Sequence, residues 1–208
     1  MQFETNAEDV FASAISDHLD VVRQMLQQQD VFESIGSAMS ASIRQGGKVL
    51  WCGNGGSAAD SQHLAAELVG RFRRERSGLA SIALTTDTSI LTAVANDYGY
   101  DAVFSRQVEA LGKPGDVLVG ISTSGNSSNV VTAFGQARSS GMITIAFTGA
   151  DGGKLSAAAD YLFAVNSRDT ARIQEAHILA GHMLCDWIEL DVVRETAASS
   201  QPERIPVQ

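Results

Sequence analysis

Two stretches of this 208-residue sequence have the residue types that hold an anion. Residues 53–60 read Gly-Asn-Gly-Gly-Ser-Ala-Ala-Asp. Glycines let the backbone come close to an anion, and Ser57 offers a hydroxyl where a helix should begin. The exposed N–H groups and dipole of a helix N-terminus favour negative charge. Residues 122–128 place five hydroxyl side chains in seven positions, again between an expected strand and an expected helix. Neither stretch contains Lys or Arg, so a phosphate there would rest on N–H and hydroxyl donors. Serine and glycine also start helices for capping alone, and one such loop would mean little. Two of them, each after an apolar strand, point to a phosphorylated ligand.

Acid–base groups stand nearby. His63 and Glu67 are four residues apart on the helix expected over 57–69, so both project from one face, within about two turns of the first loop. The last expected helix carries Gln174, Glu175, His177 and His182. Gln174 and His182 are eight residues apart, about 12 Å along a helix axis. They serve one site only if their side chains converge or if the site draws on two chains. Plainer readings compete. Glu67 and Arg71 have the spacing of a surface ion pair. His182 lies among Ile178, Leu179, Met183 and Leu184, as a buried structural histidine would. His18 has no neighbouring chemistry and reads as structural.

The elements that must position these groups alternate. Val10, Ala14, Val21, Val22, Met25 and Leu26 give a helix over 9–28, and Val31, Ile35, Met39 and Ile43 a second, stopped by Gly46 and Gly47. Short apolar strands are expected at 49–52, 81–84, 117–121, 142–147 and 161–165. Helices should follow at 57–69, from a cap at Asp87 through Ala95, after Gly99 to about Gly112, to Ser139, and over 170–193. Continuous apolar strands alternating with helices predict an α/β three-layer sandwich, a five-stranded parallel sheet covered on both faces. One domain should span residues 1–194, with the N-terminal helices outside the repeating unit and a loose tail over 195–208. In such sheets ligands bind at the carboxyl ends of the strands, where both loops lie.

Composition excludes several classes. The formal net charge of −9 is badly suited to a nucleic-acid binder, which gains affinity by neutralising phosphates. The one basic cluster, Arg71, Arg73, Arg74 and Arg76, reads as a solvated helix end. No apolar run reaches the roughly 20 residues of a membrane helix, and the N-terminal residues lack a secretory pattern, so a cytoplasmic protein is expected. Cys52 and Cys185 form no disulfide framework. Residues 53–58 fit the loose dinucleotide fingerprint. Asp87 is better explained as a cap than as its acidic partner, and the hydroxyl-rich loop has no role in that scheme. No nucleotide cofactor is expected.

Four separated motifs carry a resemblance. Cys52-Gly53-Asn54-Gly55-Gly56-Ser57-Ala58-Ala59-Asp60-Ser61-Gln62-His63, with Glu67 behind it, resembles the phosphoheptose isomerases of the sugar-isomerase (SIS) superfamily. So do Thr92-Ala93-Val94-Ala95-Asn96-Asp97, Ile121-Ser122-Thr123-Ser124-Gly125-Asn126-Ser127 and Ala171-Arg172-Ile173-Gln174-Glu175-Ala176-His177. The resemblance implies a flavodoxin-like SIS fold and a homotetramer with sites between subunits. It implies conversion of sedoheptulose 7-phosphate to D-glycero-D-manno-heptose 7-phosphate through an enediol, feeding heptose precursors of cell-surface polysaccharide. The phosphate is then expected on Ser122, Thr123, Ser124 and Ser127. The sugar is expected on Asn54, Gly55, Gly56, Ser57, Glu67, Asn96, Asp97 and Gln174. One zinc per subunit would be held by His63, Glu67, Gln174 and His182, polarising the carbonyl or serving structure, since a ligated Glu67 is a poorer base. Glu67 would be the base and His182 the acid. The chain departs from some members at Ala171, where they carry Asp. The rival reading is a non-catalytic SIS scaffold that binds a protein such as the replication initiator. Such relatives tend to lack residues matching Glu67 and His182, and both are present here.

Overall fold

The computed structural model describes residues 7–199, and side-chain surroundings over residues 9–194. Helices α1 (Ala7–Met25) and α2 (Gln29–Arg44) precede β1 (Val49–Gly53). There follow α3 (Gly56–Val69), β2 (Ser81–Ala83), α4 (Thr88–Tyr98), α5 (Ser105–Leu111), β3 (Val117–Ser122), α6 (Ser128–Ser139), β4 (Ile143–Gly149), β5 (Tyr161–Val165) and α7 (Thr170–Ser199). The five strands pair in parallel in the order β2-β1-β3-β4-β5. This is the expected flavodoxin-like sheet.

Strand side chains alternate between two cores. Val49, Trp51, Val117, Val119, Ile145 and Phe147 face one side, with Met39 of α2, Leu68 of α3 and Leu184 and Ile188 of α7. Leu50, Cys52, Leu118 and Ala146 face the other, against Val108 of α5 and Val130 and Phe134 of α6. β1 and β3 are buried at every position, as continuous apolar runs require. Each fully buried large side chain contributes roughly 1.5–3 kcal/mol. The N-terminal helices join the first core through Val21, Met25 and Ile35.

The structure moves several boundaries. α1 gives way to a 3-10 turn at Leu26–Gln28, where Leu26 is exposed, instead of running to 28. Asp87 caps α4 as expected, accepting from the Ile90 N–H at 2.9 Å. That helix runs to Tyr98, so Asn96 and Asp97 sit in its last turn and not in a loop. The helix expected before Gly112 is a 3-10 turn, Tyr100–Ala102, followed by α5. β4 runs two residues further than expected because Thr148 and Gly149 still pair with both neighbours or with β5. α7 continues through Ser199, carried by the helix-favouring Ala197 and Ala198. The tail expected to be loose from 195 is therefore helical at first; residues 200–208, and the N-terminal residues read for a secretory signal, lie outside the described residues.

The arginine cluster is not a solvated helix end. α3 stops at Val69, and the segment after it is tied to α7. Arg73 and Arg74 pair with Asp186, and Arg76, its side chain 3% exposed, pairs with the fully buried Glu189. Nor is His18 alone: its Nδ1 lies 2.7 Å from Glu175 Oε2, joining α1 to α7. Among the described residues no helix is long and apolar enough to cross a membrane.

His177, fully buried on α7, donates through Nε2 to the Thr148 carbonyl at 3.0 Å. Burial lowers its pKa to about 4, against the partial support of that bond. Below about pH 6.5 the unfolded histidine binds a proton that the folded one refuses until about pH 4. Stability therefore falls as pH drops through that window, by about 3 kcal/mol from this group. Urea denaturation at pH 7 and pH 4.5 should show this loss, and His177→Gln should reduce it.

Candidate functional site

The glycine-rich and serine-rich loops leave neighbouring strands. β1 and β3 are adjacent, with Gly53 level with Ile121, and β2 lies on the far side of β1. The chain therefore reverses its winding between these two strands, which is where a doubly wound sheet opens a crevice. α3 starts at Gly56. A Cβ there would stand 2.6 Å from Gln174 Nε2, so only glycine lets the Gln174 amide close over this loop. Ser57 is buried beneath it. Asn54 turns sideways and exchanges amide bonds with Asn129 of α6, at 2.9 Å in both directions. The Tyr100 hydroxyl also donates to Asn54 Oδ1 at 2.9 Å. One N–H of the Asn54 amide is left for a ligand.

In the second loop the Ser122 and Ser127 hydroxyls lie 2.9 Å apart. Ser127 stands at the N-cap of α6, yet its side chain caps no N–H of that helix. Capping therefore does not account for it, and the hydroxyl is aimed into the loop. Ser124 Oγ accepts from the Asn126 N–H at 3.2 Å. A cavity of about 270 Å³ adjoins this loop, lined by Thr123, Ser124, Asn126, Gly149, Arg168 and Thr170 among others. Arg168 is a cation that the loop sequences themselves do not contain; it arrives from the connection between β5 and α7.

The acid–base groups meet where α3 and α7 touch. The two helices lie side by side: Gly56 faces Gln174, and Leu64 faces Gly181. A Cβ on Gly181 would stand 2.5 Å from Leu64 Cδ1, so the glycine sets how closely the helices approach. The residues next to that contact are His63 and His182. Their Nε2 atoms lie 2.8 Å apart with the rings edge to face. Glu67 Oε1 lies 3.3 Å from His63 Nε2. Arg71, its possible surface partner, pairs instead with Glu75 at 3.8 Å. The Phe72 ring stacks on His182, 17° from parallel with centroids 5.3 Å apart.

Electrostatics keep His182 neutral. Burial pushes its pKa down, the neighbouring His63 and Arg73 push the same way, and Glu67 opposes them without reversing the shift. A neutral imidazole beside a carboxylate can take a proton at one atom and give one at another. The same three groups also suit a metal. Two imidazole nitrogens and a carboxylate oxygen, all within 4.8 Å of one another, form a donor set that zinc accepts.

Of the residues read from the sequence, the structure gathers His63, Glu67 and His182 in one place and Asn54, Gly55, Gly56, Ser57 and Gln174 in another. Ser122, Thr123, Ser124 and Ser127 form the second loop. Gln174 stays against Gly56, two helical turns from His182. Asn96 and Asp97 bond to each other at 2.8 Å, and among the described residues neither bonds to the loops or the histidines. Sequence reasoning missed Asn129, Tyr100, Arg168 and Phe72. Asn129 lies only two residues beyond Ser127, and its proximity to a phosphate-type loop was the one available signal.

Residues 11–149 match the SIS domain family. The chain is 55% identical over 178 residues to a phosphoheptose isomerase of Roseiflexus sp. (strain RS-1), covering 85% of this chain and 90% of the relative. The structure of a phosphoheptose isomerase from Neisseria gonorrhoeae superposes with a TM-score of 0.84 at 47% identity, over 88% of this chain and 99% of that one. One from Francisella tularensis gives 0.87 at 37% identity, over 89% and 100%. With a family model matched over residues 11–149 and relatives this similar over most of their length, this protein belongs to the phosphoheptose isomerase family of SIS-domain proteins.

Proposed function

We propose that this chain is an aldose–ketose isomerase that converts sedoheptulose 7-phosphate to D-glycero-D-manno-heptose 7-phosphate, within heptose phosphate metabolism. The observation that carries the reading is the meeting of Glu67, His63 and His182 beside a phosphate-type crevice, in a chain whose relatives at 50–58% identity are named for this reaction. The non-catalytic scaffold reading has no comparable support, because both residues that such relatives tend to lack are present and brought together.

In this reading the serine loop holds the phosphate through the hydroxyls of Ser122, Thr123, Ser124 and Ser127 and the N–H groups at the start of α6. That end of the ligand undergoes no chemistry, so its binding energy serves to place the reacting carbons. Gln174, Gly55, Gly56 and the free N–H of Asn54 face the sugar hydroxyls. Asn96 and Asp97, exposed on α4, contribute to the sugar site only if it lies against another copy of the chain. Glu67 takes a proton from C1 of the ketose and, after exchange with solvent, gives one to C2 of the aldose. His182, neutral at rest, gives a proton to the carbonyl oxygen at C2 and takes one from the C1 hydroxyl, so the charges balance through the enediol.

His63, Glu67 and His182 would hold a zinc ion, with Gln174 joining them when supplied by a second copy, since within one chain it lies about 12 Å along α7 from His182. Bound there, zinc would polarise the carbonyl as a Lewis acid or serve structure, and it would leave a ligated Glu67 a poorer base. A homotetramer fits the outward apolar face of α1, where Val10, Phe11, Ile15 and Leu19 are exposed, and α4, which buries no residue within one chain. Two free, buried cysteines suit a reducing cytoplasm.

Two outcomes test the reading. Glu67→Gln should lower kcat by about 100-fold or more while calorimetry still detects sedoheptulose 7-phosphate binding; Ser124→Ala should do the reverse, weakening binding several-fold with kcat nearly kept. Elemental analysis of the purified protein should find zinc, and His63→Ala should lose it without changing the far-ultraviolet dichroism. Unchanged turnover in Glu67→Gln removes that residue as the base.

A further inference from the structure

The C-terminal half of α7 holds a carboxylate that no part of this chemistry uses. Glu189 is fully buried. Its Oε1 accepts from the Phe72 N–H at 2.6 Å, and its Oε2 from the Arg73 and Arg74 N–H groups at 2.8 and 3.0 Å. Arg76 Nη2 completes the shell, 3.1 Å from Oε1. Burial alone would raise the Glu189 pKa, but these three N–H groups and Arg76 outweigh it and hold the group ionised. A buried carboxylate with donors filling both oxygens is a rigid anchor.

What this anchor holds leads to both acid–base residues. Arg76 donates from Nη2 to the Glu67 carbonyl at 2.9 Å and from Nη1 to the Leu68 and Gly70 carbonyls at 2.8 and 3.1 Å. It thereby closes the C-terminal turn of α3, the turn that carries Glu67, with a cation at the negative end of the helix. The other arm runs through Phe72, whose backbone Glu189 fixes and whose ring lies flat on His182. The Arg73 guanidinium packs over the same ring, 5.1 Å from its centroid. One side chain on α7 thus fixes the turn bearing the base and the ring that orients the acid seven residues before it.

We propose that Glu189 is a positioning residue for the isomerase site, acting on His182 through Phe72 and on Glu67 through Arg76. The inference rests on the activity proposed above. It differs from ordinary core support in requiring an aromatic face at position 72: a planar ring can hold an imidazole parallel to itself, and a branched aliphatic side chain of similar bulk cannot. Support at this distance from the reacting atoms typically carries about 10- to 100-fold in activity.

Steady-state kinetics with sedoheptulose 7-phosphate read the difference. Phe72→Leu should lower kcat about tenfold or more with KM within about twofold, whereas Phe72→Tyr should stay close to wild type. Glu189→Gln, which turns an amide donor toward backbone donors, should show the Phe72→Leu pattern in a protein that still melts cooperatively. Equal kcat in Phe72→Leu and wild type, or equal losses in Phe72→Leu and Phe72→Tyr, overturns the proposal. Crystal structures of Phe72→Leu and Glu189→Gln answer without turnover. The expected result is a His182 ring rotated away from His63, and an unmoved ring overturns the proposal. If Glu189→Gln does not fold, the two Phe72 variants decide. A wild-type protein without turnover strikes the activity itself, and the crystallographic arm still judges the positioning.

Discussion

Everything at this site depends on how closely α3 and α7 lie together. Both helices pack on one face of the sheet, α3 after β1 and α7 after β5, and they run side by side along their length. Gly56 meets Gln174 at one end, Leu64 meets Gly181 in the middle, and the segment after α3 meets Glu189 at the other end. His63 and His182 flank the Leu64–Gly181 contact, which brings their rings together. A larger residue than glycine at 181 would have to displace the Leu64 side chain or the helices themselves, next to Nε2 atoms that lie 2.8 Å apart. The helix pair thus carries a donor-rich end at Gly56 and Gln174 and an acid–base end at His63 and His182.

The second constraint is the sheet order. Because β1 sits between β2 and β3, the loops after β1 and β3 open into the same crevice. The reciprocal Asn54–Asn129 amide pair, with Tyr100 added, joins these loops directly. The phosphate-type loop is therefore held in fixed relation to the helix pair, as placing C1 and C2 of a ligand from its far phosphate end demands.

Much of this was legible in the sequence, for identifiable reasons. β1, β3 and β4 announced themselves because strands buried on both faces are continuously apolar, while the partly buried edge strands β2 and β5 showed only as short apolar runs; the loops showed because glycine and hydroxyl residues cluster where a backbone approaches an anion or starts a helix. His63 and Glu67 were found by helical spacing alone. The arginine cluster misled, since four cations in six residues look solvated until Asp186 and the buried Glu189, 112 or 113 residues away, supply partners for Arg73, Arg74 and Arg76. His18 was read as isolated for the same reason, its Glu175 partner being 157 residues distant. Asn96 and Asp97 looked like loop residues because Gly99 follows them, but α4 needs its last turn before that glycine can end it. Long-range pairs between polar residues leave no periodic trace, whereas apolar faces and local turns do.

Proton transfer through an enediol is the central claim, and deuterium reads it most directly. Wild-type protein, sedoheptulose 7-phosphate and D₂O can be followed together by proton and carbon NMR. The account predicts an aldose 7-phosphate carrying deuterium at C2, with exchange at C1 of the remaining ketose. A ketose that binds and is recovered unlabelled, with no aldose formed, would contradict it.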